Sequence, residues 1–226
     1  MQPHCSVRRF RLGLIIICLY LLAVGFYFSA NEPAMRLAFP VTLLALGGIG
    51  VLPWTMALGF AFSALGDMFG VLGSFVGQMA SFAVGHVFFL CWLSGRLRVA
   101  RPRGWTVGMP CAIWATMVAL VGWKVLPHVP GMAIRTGCLI YAMLLSGMAC
   151  MAIMLAASRT TQRLWAMMAA VGGVLFVISD AVLAWNRFVE PIHHSGLIIM
   201  ITYYAAQLLL FVAAWRLPRS VWPAKP

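Results

Sequence analysis

Apolar runs follow one another almost without interruption along this chain, broken only by short clusters of turn-forming residues. A helix rises about 1.5 Å per residue, so about 20 apolar residues cross the roughly 30 Å hydrocarbon core of a bilayer. No water is present there to satisfy backbone N–H and C=O groups, and helices satisfy them internally. Eight such runs are present, at 12–30, 34–51, 53–71, 74–95, 105–125, 131–157, 161–185 and 194–216. The second is the weakest, with Pro40 inside it. The breaks are "NEP" from Asn31, "LPW" from Leu52, "GVLGS" from Gly70, "RPRG" from Arg101, "PHVPG" from Pro127 and "EPIHH" from Glu190. Gly, Pro and Asn end helices for steric reasons.

The expected fold class is therefore all-α: a polytopic membrane helix bundle with eight transmembrane helices, forming a single integral membrane domain over 1–226. Composition excludes a soluble domain. Charged residues make up 9% and hydrophobic ones 63%, against roughly 25% and under ~50% in soluble domains. The first run, in "VRRFRLGLIIICLYLLAVGFYFSA", has the basic flank and apolar core of a signal peptide. Phe28 is too large for the −3 position of a cleavage site, so an uncleaved first helix is expected.

A net charge of +12 invites a nucleic-acid partner. The basic residues instead stand in short clusters between apolar runs and read as topology signals, so no nucleic acid is expected. Twelve of the sixteen fall on one side: Arg8, Arg9, Arg11, Arg96, Arg98, Arg101, Arg103, Arg159, Arg163, Arg216, Arg219 and Lys225. Arg36, Lys124, Arg135 and Arg187 fall on the other. Positive loops stay in the cytoplasm, which with eight spans places both termini there, in the inner (cytoplasmic) membrane of a bacterium. Six cysteines form no CxxC pair, and all but Cys5 lie in apolar runs, where cysteine packs as a small hydrophobe. Neither a disulfide, a metal site nor a cofactor is expected. "GGIG" at 47–50 lacks the GK[ST] of a phosphate loop, and neither HExxH nor GxSxG occurs.

The chain has four acidic residues: Glu32, Asp67, Asp180 and Glu190. Two of them sit inside apolar runs, Asp67 late in the third and Asp180 late in the seventh. A carboxylate at the centre of a membrane helix costs about 2.5–3.5 kcal/mol on insertion scales and normally faces a bundle interior or a wet cavity. The two positions correspond. They lie 113 residues apart, half the chain, each after a small residue (Gly66, Ser179) and each with Phe eight residues on (Phe75, Phe188). This pattern points to a 4+4 tandem repeat with halves 1–104 and 105–226. The seventh span is four on from the third, so both helices run outward and both carboxylates lie at similar depth. The plainer alternative is structural: a helix cap, a buried hydrogen bond, or an ion pair between Asp180 and Arg187.

Few other polar residues interrupt the runs. They are His86 in the fourth, Asn186 at the end of the seventh, and Tyr203, Tyr204 and Gln207 in the eighth, with Gln207 one turn from both tyrosines. Each is equally readable as interhelical glue. His193 and His194 fall in a solvated loop.

These residues resemble the YhhN family of polytopic membrane proteins, which includes the lysoplasmalogenases. The matching pieces are "FSALGD" (Phe62 to Asp67); Phe75 with Phe82, Gly85 and His86; "LFVISDAVLAWNRF" (Leu175 to Phe188); and "TYYAAQ" (Thr202 to Gln207). They occupy the third, fourth, seventh and eighth runs. The family often has Tyr three residues after the His, where this chain has Phe89. The resemblance implies hydrolysis of the vinyl-ether bond of a lysoplasmalogen, with a lysophospholipid drawn from the membrane lipid as substrate. A vinyl ether is cleaved by protonating its β-carbon and adding water to the resulting oxocarbenium ion. Two carboxyl groups in a shared site separate their titrations, so one supplies the proton while the other stays charged. Asp67 and Asp180 are the expected catalytic pair. His86, Asn186, Tyr203, Tyr204 and Gln207 would orient them, and Arg187 would take the lipid phosphate. Three other readings compete, one of them a structural membrane subunit. Intramembrane carboxylates also serve proton-coupled lipid or small-molecule transporters and aspartyl proteases of the membrane, but "ALGD" lacks the GxGD pattern of the latter.

Overall fold

The computed structural model describes residues 3–29, 37–158 and 162–217. Among the described residues eight α-helices form: α1 (Pro3–Phe28), α2 (Phe39–Val51), α3 (Trp54–Val71), α4 (Phe75–Ala100), α5 (Trp105–Leu120), α6 (Met132–Ala157), α7 (Arg163–Phe188) and α8 (Ser195–Arg216). α5 continues through a π turn, Val121–Val125, and a 3-10 turn, Leu126–His128. Seven of the helices are long and apolar enough to cross a membrane, α5 being counted with its continuation. The chain is thus an integral membrane protein of the all-α class.

α2 corrects the expectation of eight full spans. It has 13 residues, about 20 Å at the rise of an α-helix, against about 30 Å of hydrocarbon. Pro40 occupies its first turn, where the missing N–H has no helical acceptor to lose. Residues 34–36, the start of the expected span, lie outside the described residues, as do Glu32, Arg36, Arg159, Arg219 and Lys225.

The helices pack as two compact units, Met1–Phe88 and Phe89–Pro226, with the boundary inside α4. In the first unit α1 packs on α2 and α2 on α3. Arg9 of α1 donates from Nε (2.9 Å) and Nη2 (2.6 Å) to the Val51 carbonyl at the end of α2. A Cβ on Gly47 would stand 2.6 Å from the Ile16 side chain, so glycine is what lets α1 and α2 approach. Tyr20, Leu44, Met56 and Phe60 fill the interior.

In the second unit α5, α6, α7 and α8 pack successively. Trp114 Nε1 ties α5 to the Met143 carbonyl of α6 at 3.2 Å. Two adjacent glycines make the closest backbone approaches. A Cβ on Gly172 would lie 3.1 Å from the Ala206 carbonyl oxygen of α8, and one on Gly173 would lie 3.0 Å from Cα of Ala149 on α6. Small residues draw helices together where lipid provides no hydrophobic drive. Arg216 at the end of α8 lies over the ring of Trp165, 4.9 Å from its centroid, near the start of α7. Among the described cysteines, Cys18, Cys91 and Cys111 are exposed thiols, Cys138 is half-buried and Cys150 is buried.

Candidate intramembrane acidic sites

Each unit carries one of the two intramembrane aspartates. In the first, α3 is anchored on small residues one turn apart. Ser63 donates back to the Gly59 carbonyl at 3.0 Å. A Cβ on Gly66 would stand 2.8 Å from the Phe82 ring of α4, and one on Gly85 3.0 Å from the Gly59 oxygen. This packing seats Asp67 and His86 on neighbouring helices. Asp67 is 2% exposed and His86 fully buried. Tyr20 and Tyr27 of α1 lie within electrostatic reach of the Asp67 carboxylate. Neither tyrosine stands out in the sequence, where both sit in an apolar run.

In the second unit Asp180 is only half-buried. Its Oδ2 accepts a short hydrogen bond from the Tyr141 hydroxyl of α6. That contact is of the kind the structural alternative names, a hydrogen bond that holds the carboxylate from another helix. Ser179, the small residue before it, donates to the Ile199 carbonyl of α8 at 3.1 Å. On α8, Tyr203 meets the Phe176 ring of α7 edge-on at 5.4 Å, and Tyr203 and Tyr204 stand 5.5 Å apart. Gln207 is completely buried, and neither end of its amide has a hydrogen-bond partner among the described residues. Burying an amide without a partner is unfavourable by about 1–3 kcal/mol in proteins.

The end of α7 is shaped differently. Asn186 Oδ1 accepts the Ile192 N–H at 2.8 Å and so folds the connection to α8. Arg187 lies over the Phe188 ring at 5.8 Å and within electrostatic reach of Cys138. Trp185 Nε1 donates to Glu190 at 3.1 Å. His193 and His194 are exposed, their rings 3.8 Å apart, in agreement with a solvated loop. Of the eight residues expected at the site, α3 and α4 carry Asp67 and His86, both buried. The α7–α8 pair carries Asp180, Asn186, Arg187, Tyr203, Tyr204 and Gln207.

Three tyrosines thus join the candidate residues: Tyr20, Tyr27 and Tyr141. One signal was available. The chain has five tyrosines against fourteen phenylalanines, and a phenol in an apolar span needs a hydrogen-bond partner that a phenyl ring does not.

The sequence matches the model of the YhhN family over residues 13–214. Human lysoplasmalogenase TMEM86B is 55% identical over 47 residues, which is 21% of this chain and 21% of that protein. Mouse lysoplasmalogenase TMEM86B is 52% identical over 54 residues, 24% of each chain. Human lysoplasmalogenase TMEM86A is 45% identical over 51 residues, 22% of this chain and 21% of that protein. The chain therefore spans between a fifth and a quarter of the curated relatives it matches. No solved structure matches it.

Proposed function

The chain belongs to the YhhN family, and we propose that it hydrolyses the vinyl-ether bond of a lysoplasmalogen, releasing a fatty aldehyde and a glycerophospho-base. The observation that carries this reading is the use of half the chain's acidic residues inside membrane helices, in a family whose curated relatives are lysoplasmalogenases.

The chemistry asks for little more than carboxyl groups and water. A carboxylic acid, for which Asp67 and Asp180 are the two candidates, gives its proton to the β-carbon of the vinyl ether. The double-bond electrons form the new C–H bond, and the α-carbon becomes an oxocarbenium ion. A water molecule adds to that carbon, and a carboxylate takes the water's proton. The hemiacetal then collapses: its hydroxyl proton leaves, the bond to the glycerol oxygen breaks, and that oxygen is reprotonated. Aldehyde and alcohol result, with one water consumed. Glycosidases use two carboxyl groups for a similar oxocarbenium-like state. Within each unit, His86 accompanies Asp67, and Tyr203, Tyr204 and Gln207 accompany Asp180, as the residues that orient a carboxyl group and water. Arg187 binds the phosphate of the head group, and Asn186 shapes the connection beside it. The tandem relation of 1–104 and 105–226, and the cytoplasmic placement of both termini in the inner membrane, belong to the same reading.

The test is aldehyde release from a lysoplasmalogen by the purified protein in detergent, with no ion gradient. Steady release with a stoichiometric glycerophospho-base supports hydrolysis. No release in detergent, together with gradient-dependent lipid movement in liposomes, would overturn it in favour of the transporter.

A further inference from the structure

We infer that Tyr141 is the positioning residue of Asp180: it holds Oδ2 of the carboxyl group from the neighbouring helix and leaves Oδ1 to the reacting group. The inference rests on the hydrolase reading for its kinetic consequence but not for the contact itself.

Three observations carry it. First, Tyr141 lies in α6 and Asp180 in α7, so the hydrogen bond fixes a side chain across two helices. An aspartate has two side-chain torsions, and one oxygen held by an external donor sets both of them. Second, the seam that places the donor is rigid. On the same two helices, Gly173 stands against the backbone of Ala149, where not even a methyl group fits without displacement. The two contacts run in antiparallel register: Tyr141 to Ala149 is eight residues along α6, and Gly173 to Asp180 is seven along α7. Third, the Asp180 residue is half-buried rather than sealed in the core, and the hydrogen bond from Tyr141 engages only Oδ2 of its carboxyl group.

A phenol suits this task. It donates a single hydrogen bond, carries no charge near neutral pH, and its ring is at home among the apolar side chains of α6. A hydrogen bond to a carboxylate is about twice as strong as one between neutral groups. Tyr141 therefore grips most firmly when Asp180 is ionised and still holds it when protonated. The carboxyl group keeps one orientation through a proton transfer at Oδ1, which is the geometric demand of a repeated acid–base cycle.

The test compares Tyr141→Phe with site-specific 3-fluorotyrosine at position 141, which keeps the donor. Two measurements are made on each. The carboxyl band of Asp180, assigned by infrared difference against Asp180→Asn, needs no substrate. It shifts in the Phe variant and stays close to wild type in the fluorotyrosine protein. The kinetics of aldehyde release from lysoplasmalogen show kcat lowered about 10- to 100-fold in the Phe variant, as expected for a misplacement on the order of 1 Å. KM is nearly unchanged, and the fluorotyrosine protein recovers turnover. If the Asp180 band is unmoved in Tyr141→Phe, the contact does not exist and the inference is overturned. If the band moves while kcat is unchanged, Tyr141 is structural only, which also overturns it. If the wild type releases no aldehyde at all, the hydrolase reading fails, while the infrared comparison still decides the contact. If the Phe variant does not fold, the fluorotyrosine protein and its 3,5-difluoro counterpart take its place. A band that follows donor acidity through the series supports the hydrogen bond, and one that ignores it refutes it.

Discussion

Replacing Gly173 by alanine adds one methyl group to the seam between α6 and α7, and the structure sets the size of the effect. The new Cβ would lie 3.0 Å from Cα and 3.4 Å from Cβ of Ala149. Carbon atoms rest at about 3.5–4.0 Å, so the helices must part locally by a few tenths of an ångström. The nearest obstacle is backbone, which no rotamer can move aside. Overpacking of this kind costs about 1–3 kcal/mol, and alanine's better helix propensity returns about 1 kcal/mol. The net loss of stability is about 0–2 kcal/mol, a drop in thermal midpoint of at most ~8 °C for a chain of this size. Geometry suffers more. Asp180 lies seven residues further along α7, about 10.5 Å up the axis, on the seam that carries its hydrogen bond to Tyr141. A misplacement of about 1 Å at a reacting group is worth ~10²-fold in rate. Aldehyde release should therefore fall at least about tenfold, beyond anything explained by the fraction unfolded. Kinetics and thermal melts of Gly173→Ala in the same detergent measure both quantities. Wild-type turnover, or a loss that merely tracks the unfolded fraction, would show that this seam does not place the carboxyl group.

Asp67→Asn and Asp180→Asn should each lower kcat for aldehyde release by at least about 10², the usual contribution of an acid–base group, and the double variant should be little worse than the poorer single. Near-full release by either variant removes that residue from the mechanism. Gln207→Leu removes a buried amide with no partner among the described residues, so the thermal midpoint should hold or rise while release falls about tenfold. Equal release would place Gln207 outside the site. Reporter fusions in the stretch 101–104 should read cytoplasmic and those in 127–131 external, as the distribution of Arg and Lys requires. The opposite pattern inverts the protein and refutes the assigned topology.

Helices were the most legible part of the fold because the bilayer permits so little else: a twenty-residue apolar run has one way to satisfy its backbone. α2 shows the limit of that logic. Its apolar run is continuous through Pro40, and only the steric rule that puts proline in a first turn marks where the helix begins. The two aspartates were equally plain, because charge inside a span is rare enough to stand alone. Their immediate partners were not. Tyr141 is one polar atom in "LIYAMLL", and no local pattern says that its hydroxyl meets a residue 39 positions away. Ser179 drew notice as the small residue before Asp180, yet its hydroxyl reaches across to α8. Such contacts depend on how helices rotate about their axes, and that is decided by close approaches such as Gly172 on Ala206 and Gly173 on Ala149 rather than by any one helix's own sequence.

The bond from Arg9 to the Val51 carbonyl bears on how the chain enters the membrane during synthesis. α2 is short, holds three glycines and carries a proline in its first turn, so it is poorly equipped to settle in lipid alone. α1 is strongly apolar and brings a guanidinium with it. The end of α2 offers that guanidinium unsatisfied carbonyls and the negative end of a helix dipole. Each helix thus supplies what the other lacks, and Ile16 against Gly47 closes the pair. The contacts suit the first two helices to enter as one hairpin. The ribosome must make about forty residues beyond Arg9 before either helix reaches its final place.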